Sequence, residues 1–186
     1  MAAAFVESFT LVTFAEMGDK TQLLSIILAA KFRRHTPVLL GILLATLINH
    51  GFTAWLGSAI SGHLDPRWMN IGAAVMLIVT GLWTLIPDDE PDFKETTAHG
   101  AFAASFIAFF LAEIGDKTQL ATLTLGAHYS NTLMVIAGTT AGMMAANIPA
   151  VLCGQAVIKR LPMELLHRVT CVLFVSIGIY GLIQAL

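Results

Sequence analysis

The chain has 186 residues, of which 56% are hydrophobic and 12% are charged. Soluble domains carry about 25% charged residues, so this composition, with a mean hydropathy of +0.78, excludes an ordinary soluble domain and predicts a membrane protein. The net charge of −2 and the pI near 6.3 leave no basic surface for nucleic acid, which we therefore do not expect as a partner.

Six apolar segments follow one another along the chain, separated by links that hold charged residues and prolines. A membrane span needs about 20 mostly apolar residues, and a single span in lipid must satisfy its own backbone hydrogen bonds. Each segment is therefore predicted to be one transmembrane helix. The segments run from about 4 to 30, 38 to 60, 69 to 86, 100 to 127, 132 to 158 and 165 to 186.

Two nearly identical seven-residue motifs lie inside the first and fourth segments. Residues 16–22 read Glu-Met-Gly-Asp-Lys-Thr-Gln, and residues 113–119 read Glu-Ile-Gly-Asp-Lys-Thr-Gln. A charged side chain at the bilayer centre costs at least about 2.5–3.5 kcal/mol on insertion scales. Two acids and a lysine at that depth, present twice, therefore indicate a functional site.

The repeat extends well beyond the motif. A shift of 97 residues aligns the two halves without a gap, from Phe5 with Phe102 to Ile86 with Ile183. Each half holds three helices, an odd number, so the second half enters the membrane from the opposite side. The predicted fold class is an all-α polytopic membrane protein with six transmembrane helices as an inverted 3+3 repeat. We expect residues 1–87 to form the first repeat, 88–99 a cytoplasmic acidic linker and 100–186 the second, inverted repeat.

Lys and Arg are unevenly distributed between the links, and this bias predicts the orientation. Seven of these residues lie in or beside the first, third and fifth links, whereas the opposite side holds only Arg67. The bias places the basic links in the cytoplasm and both termini outside. The seven residues are Lys31, Arg33, Arg34, Lys94, Lys159, Arg160 and Arg168.

The acids of the motifs are the predicted metal ligands. Within each motif they are three residues apart and so fall along one side of a helix. The inverted repeat brings both motifs to the midplane, where we expect Glu16, Asp19, Glu113 and Asp116 to hold one cation. Hard oxygen donors suit Mg²⁺, Ca²⁺ and Mn²⁺. The predicted supporting residues are Lys20, Thr21, Gln22, Lys117, Thr118 and Gln119.

Two features of the motif have more than one interpretation. Gly18 and Gly115 allow either a helix break that frees backbone carbonyls or a close approach between helices. Lys20 follows Glu16 by four residues, with the same spacing in the second motif, which favours an ion pair within each helix. If such pairs only stabilise the bundle, the chain is a structural membrane subunit.

The charges of the site predict what it exchanges. Four carboxylates and two lysines sum to −2, which one divalent cation neutralises. Crowded carboxylates repel one another when no cation is present, so an empty site takes up protons and cation binding releases them. This exchange is the minimal basis of cation/proton antiport.

Three further polar residues, Asn49, His50 and Asn147, lie in the middle of the second and fifth segments. His50 matches Asn147 in the repeat. These side chains either line the cation pathway or form hydrogen bonds between helices.

The doubled motif Glu-apolar-Gly-Asp-Lys-Thr, in a small protein of six predicted helices, resembles the signature of the GDT-type family of Mn²⁺/Ca²⁺ transporters. This family is regarded as exchanging the cation for H⁺, and its small bacterial members include MneA-type manganese exporters. The resemblance covers essentially the whole chain and implies a multi-pass protein of the bacterial inner membrane, with periplasmic termini on the orientation above. It implies that Glu16, Asp19, Glu113 and Asp116 bind the cation, with Thr21, Thr118, Gln22 and Gln119 at or beside the site.

Residues and resemblance together predict an exporter that moves Mn²⁺ out of the cytoplasm by alternating access, with H⁺ as the counter-ion and the lipid bilayer as its surroundings. We expect no resident cofactor and no enzymatic activity, because Mn²⁺ is the transported ion. Ca²⁺ is the alternative substrate for the same residues. An intramembrane hydrolase with paired carboxylates is the alternative from another class, although such a dyad needs only two acids and no lysines. Whether the protein is a monomer or a homodimer stays open.

Overall fold

The computed structural model describes residues 2–63, 65–83, 85, 100–153 and 163–185, and every regular element in these ranges is an α-helix. The predicted acidic linker, 88–99, lies outside the described residues. The helices are α1 Ala2–Glu16, α2 Lys20–Phe32, α3 His35–Ser61, α4 Pro66–Trp83, α5 Ala101–Glu113, α6 Lys117–His128, α7 Thr132–Cys153 and α8 Met163–Ala185.

The first and fourth predicted helices are each broken in two at the motif. α1 and α2 replace the first, and α5 and α6 replace the fourth, so the expectation that the acids of a motif fall along one side of a continuous helix is wrong. At the breaks, Gly18 has a φ of 87° and Gly115 a φ of 76°. Glycine adopts this left-handed region readily because it has no Cβ to clash with the backbone. Of the two interpretations of the motif glycines, the structure therefore shows the helix break.

Three described helical segments are long and apolar enough to cross a membrane, namely His35–Ser61, Thr132–Cys153 and Arg168–Ala185. α1 and α2 contain 15 and 13 residues, so neither alone reaches across a hydrocarbon core about 30 Å thick at about 1.5 Å per residue. Large apolar side chains such as Phe52 and Trp55 are exposed on the outside of the bundle, as contact with lipid requires. The chain is a membrane protein that is all-helical over the residues described.

The two halves pack against each other through matching helix contacts. α1 packs on α7, α5 packs on α3, and α4 packs on α8. A Cβ atom added to Gly41 of α3 would come within 2.6 Å of the carbonyl oxygen of Phe102, and one added to Gly138 of α7 would come within 2.6 Å of that of Phe5. Both the glycines and the phenylalanines are related by the shift of 97 residues. Small residues thus allow close helix contact at equivalent positions of the two halves.

Two buried apolar clusters form the core, and α1 contributes to both. Val12 belongs to a cluster with Phe109 of α5, and Leu11 belongs to a cluster with Phe174 of α8. The first motif begins where α1 leaves these clusters. Its two acids therefore enter the interior of the protein and not its surface.

Candidate cation site

Both broken helices end in the interior, so the four acids of the motifs are buried. Glu16 and Glu113 are the last residues of α1 and α5 and are 0% exposed. Asp19 and Asp116 are the N-cap residues of α2 and α6, and they are 1% and 2% exposed. The partial positive charge of a helix N-terminus favours an aspartate at this position. The carboxylates thus lie where two helices end and two begin.

Three of the four predicted metal ligands come together. Carboxylate oxygens of Glu16, Asp19 and Asp116 lie within 4.8 Å of one another. Two ligands of one divalent cation are separated by at most twice the metal–oxygen distance, about 4–5 Å. Glu113 is not part of this group. Four acids were expected at the site; the structure groups three of them, drawn from both halves, and places the fourth beside the group.

The threonines of the motifs hold the glutamates in place. Thr21 Oγ1 donates to Glu16 Oε2 at 2.5 Å. Thr118 Oγ1 lies 3.2 Å from Glu113 Oε2 and 3.3 Å from Asp116 Oδ2, and so connects these two acids. The other carboxylate oxygen of each glutamate, Oε1, has no hydrogen-bond partner among the described residues. Each glutamate therefore offers one oxygen atom to a ligand.

The lysines of the motifs pair across the two halves. Lys20 Nζ lies 2.8 Å from Asp116 Oδ1, and Lys117 pairs with Asp19. The structure thus pairs each lysine with the aspartate of the other half, whereas helical spacing favours the glutamate of the same motif, because the break places each lysine at the start of a new helix. These cross pairs join the halves and partly neutralise the aspartates that a cation would use.

The glutamines stabilise the breaks. Gln22 Oε1 accepts a hydrogen bond from the backbone N–H of Gly18 at 2.9 Å, and Gln119 Oε1 accepts one from Gly115 at 2.7 Å. Gln22 Nε2 also donates to the carbonyl oxygen of Ala146 in α7 at 2.9 Å. This last contact could not be predicted from the sequence. Every residue has a main-chain carbonyl group, so residue type does not indicate which one accepts the hydrogen bond.

The three predicted pathway residues are buried but differ in their contacts. Asn49 Nδ2 donates to the carbonyl oxygen of Phe110 in α5 at 3.1 Å, a hydrogen bond between helices. Asn147 Nδ2 donates to the carbonyl oxygen of Met143 in its own helix at 3.0 Å. His50 Nε2 lies 3.9 Å from Glu113 Oε2. The side chain of His50 thus adjoins an acid of the motifs.

A contact outside the motifs joins Glu7 of α1 to the link between α6 and α7. Tyr129 in this link donates a hydrogen bond to the Glu7 carboxylate. Burial, together with that carboxylate, raises the pKa of Tyr129 above its usual value, so the phenol stays the donor. Both residues line a cavity of about 270 Å³. The repeat carried no signal for this contact, because the counterpart of Glu7 is Ala104.

Comparison with known proteins now identifies the family. The sequence profile of a family described as "Divalent cation/proton antiporter GDT1" matches residues 4–92 and 101–186, a segment in each half. The chain belongs to this family. The family confirms the resemblance predicted from the doubled motif, and its description as an antiporter is consistent with a protein that is not an enzyme.

Individual relatives of the chain span bacteria and plants. A protein of Vibrio cholerae, provisionally named a manganese exporter, is 46% identical over 92% of this chain and 86% of its own length. A GDT1-like protein of Synechocystis is 29% identical over 87% of each chain. GDT1-like protein 5 of Arabidopsis thaliana is 26% identical over 96% of this chain and 95% of its own length. No solved structure matches the chain.

Proposed function

We propose that the protein exports Mn²⁺ from the cytoplasm in exchange for H⁺, through a midplane site built from the two motifs. The observation that carries this proposal is the buried group of Glu16, Asp19 and Asp116, which combines acids from both halves within 4.8 Å. Membership of a divalent cation/proton antiporter family supports the exchanged ions. The name of the Vibrio relative supports Mn²⁺ as the cargo.

The proposed architecture is an inverted 3+3 repeat of six transmembrane helices, of which the first and fourth are broken. The equivalent breaks at Gly18 and Gly115 and the equivalent close contacts of Gly41 and Gly138 support it. In transporters built from inverted repeats, ends of broken helices commonly form the substrate site near the midplane. In this proposal the halves move against each other and expose the site to each side in turn.

The proposed location is the bacterial inner membrane, with both termini in the periplasm. The distribution of Lys and Arg between the links supports this orientation. The basic links then face the compartment from which Mn²⁺ is taken.

The proposed exchange depends on competition for the carboxylates. Lys20 and Lys117 already neutralise Asp116 and Asp19 in part, and the free Oε1 atoms of Glu16 and Glu113 can accept either a cation or a proton. The formal charge of −2 counts all four carboxylates as ionised, so an arriving Mn²⁺ neutralises the site when the protons that the empty site had taken up leave it. After release of Mn²⁺ on the other side, protons return to the carboxylates.

Transport into proteoliposomes that contain a pH dye in the lumen tests the proposal. We expect the wild-type protein to move Mn²⁺ with a change in lumenal pH. Asp19→Asn and Asp116→Asn should reduce Mn²⁺ transport to background, because each removes a charged ligand, and transport is compared only in variants that are recovered as folded protein. Asp65→Asn, an exposed acid in the link after α3, is the matched control and should transport normally.

Each alternative gives a different result in this assay. Transport of Mn²⁺ without a pH response would overturn the coupling to H⁺, and a preference for Ca²⁺ would identify the other substrate. Normal transport by both motif variants would make the motifs structural. Proteolytic activity lost in Asp19→Asn, with metal binding unchanged, would favour the intramembrane hydrolase.

A further inference from the structure

His50 of α3 is fully buried and faces Glu113. The distance of 3.9 Å between His50 Nε2 and Glu113 Oε2 is too long for a direct hydrogen bond. It is below the upper limit of about 4–5 Å on the separation between two ligands of one divalent cation. Neither ring nitrogen of His50 has a hydrogen-bond partner in the part of the chain that the structure describes, and the same is true of Glu113 Oε1. Buried polar atoms normally have partners, so these atoms indicate a place for a ligand.

The pair of His50 and Glu113 is connected to the three-acid group. Thr118 Oγ1 lies within hydrogen-bond distance of both Glu113 Oε2 and Asp116 Oδ2, at 3.2 Å and 3.3 Å. Asp116 in turn belongs to the group with Glu16 and Asp19. The imidazole is thus at the edge of the same buried polar cluster and not at a separate site.

The repeat does not require a histidine at this position. The residue equivalent to His50 is Asn147, whose amide can supply only an oxygen to a cation. Its Oδ1 has no hydrogen-bond partner among the described residues. The two motifs themselves differ only at Met17 and Ile114, both apolar. Beside two nearly identical motifs, one half therefore places an imidazole where the other half has an amide.

We propose that His50, together with Glu113, gives the site a nitrogen ligand that makes it prefer Mn²⁺ to Ca²⁺. This inference rests on the proposed function and specifies its substrate. Ca²⁺ and Mg²⁺ bind almost entirely through oxygen, whereas imidazole nitrogen binds the divalent first-row transition metals, of which Mn²⁺ has the lowest affinity. A neutral imidazole adds a ligand without adding charge, so it changes selectivity without changing the charge of −2 on the site.

Pulsed electron paramagnetic resonance of Mn²⁺ bound to the purified full-length protein tests the ligand directly. We expect ¹⁴N modulation in the wild-type protein, replaced by ¹⁵N modulation when histidine is labelled with ¹⁵N. The signal should disappear in His50→Asn, which copies the equivalent residue of the repeat, and in His50→Gln. It should persist in His63→Asn, which changes an exposed histidine after α3.

Competition between the two cations tests the consequence. In the wild-type protein we expect Ca²⁺ to displace bound Mn²⁺ only at a large excess, and the excess needed should fall by about tenfold in His50→Asn and His50→Gln. His63→Asn should behave like the wild type. An unchanged Ca²⁺ excess in a folded His50 variant overturns the inference.

The same measurements separate this inference from the proposed function. Wild-type protein that binds and transports Mn²⁺ without nitrogen modulation overturns the role of His50 alone, whatever the variants do. Wild-type protein that binds no Mn²⁺ overturns the proposed function, and this inference with it.

Discussion

At the scale of single residues, the lysines of the motifs hold opposite halves of the protein together. Lys117 is 2% exposed and pairs with the buried Asp19, whereas Lys20 keeps a side-chain exposure of 26% beside Asp116. Removing one partner of a buried ion pair destabilises the folded protein by about 3–5 kcal/mol, because neither water nor another charge replaces the lost contact. The more deeply buried lysine should therefore matter more for stability.

We expect Lys117→Met to lower the unfolding temperature of the cation-free protein more than Lys20→Met does. Mn²⁺ should then raise the unfolding temperature of Lys117→Met more than that of the wild type, because the ion supplies the missing positive charge and binds the folded state. Thermal unfolding of the purified protein with and without Mn²⁺ measures both effects. Lys31→Met, at the exposed end of α2, is the control, and equal unfolding temperatures for it and Lys117→Met would contradict the buried pair.

At the scale of the helices, the break between α5 and α6 depends on one glycine. Gly115 has a φ of 76°, and a Cβ atom there would meet no other atom within 4 Å. An alanine would therefore suffer only the backbone strain of the left-handed region, about 1–2 kcal/mol. Gly51 in α3 has equally open surroundings but lies in a helix, where alanine is favoured over glycine by about 0.5–1 kcal/mol.

These two glycines give opposite expectations for the same substitution. Gly115→Ala should lower the unfolding temperature and also reduce Mn²⁺ transport, because the break positions Asp116 at the start of α6. Gly51→Ala should raise the unfolding temperature slightly and leave transport unchanged. Thermal unfolding and proteoliposome transport measure the two effects, and a Gly115→Ala protein as stable and active as the wild type would show that the break is not needed.

At the scale of the whole molecule, the proposed orientation makes the two sides chemically different. The link between α2 and α3 carries basic residues and should face the cytoplasm, whereas the link between α6 and α7 carries none and should face outward. Ser130 in the outer link and Thr36 at the start of α3 are both exposed, so we expect replacement of either residue by cysteine to change the stability of the protein little.

Labelling by a membrane-impermeant maleimide tests this orientation in intact bacterial cells. In a background without Cys153 and Cys171, we expect Ser130→Cys to be labelled from outside. Thr36→Cys should be labelled only after the membrane is made permeable. The opposite pattern would reverse the direction in which the basic links face and would overturn export as the direction of the proposed transport.

The sequence by itself determined the helical membrane class, the family and the candidate acids of this protein. These properties follow from patterns along the sequence, namely hydropathy over about 20 residues and a motif that recurs after 97 residues. The threonines Thr21 and Thr118 could also be predicted as neighbours of the site, because they lie within the motif itself and bond to its glutamates.

Only the tertiary structure decided how these residues meet. The helix break depends on the φ of Gly18 and Gly115, and sequence allowed a close helix contact at those positions equally well. Because of the break, Lys117 pairs with Asp19 of the other half. Helical spacing had favoured a pair between Lys117 and Glu113. The grouping of three acids, with Glu113 beside His50, depends on how α3 packs against the broken helices. Distances between helices are set by side-chain packing in three dimensions, which spacing along the chain does not contain.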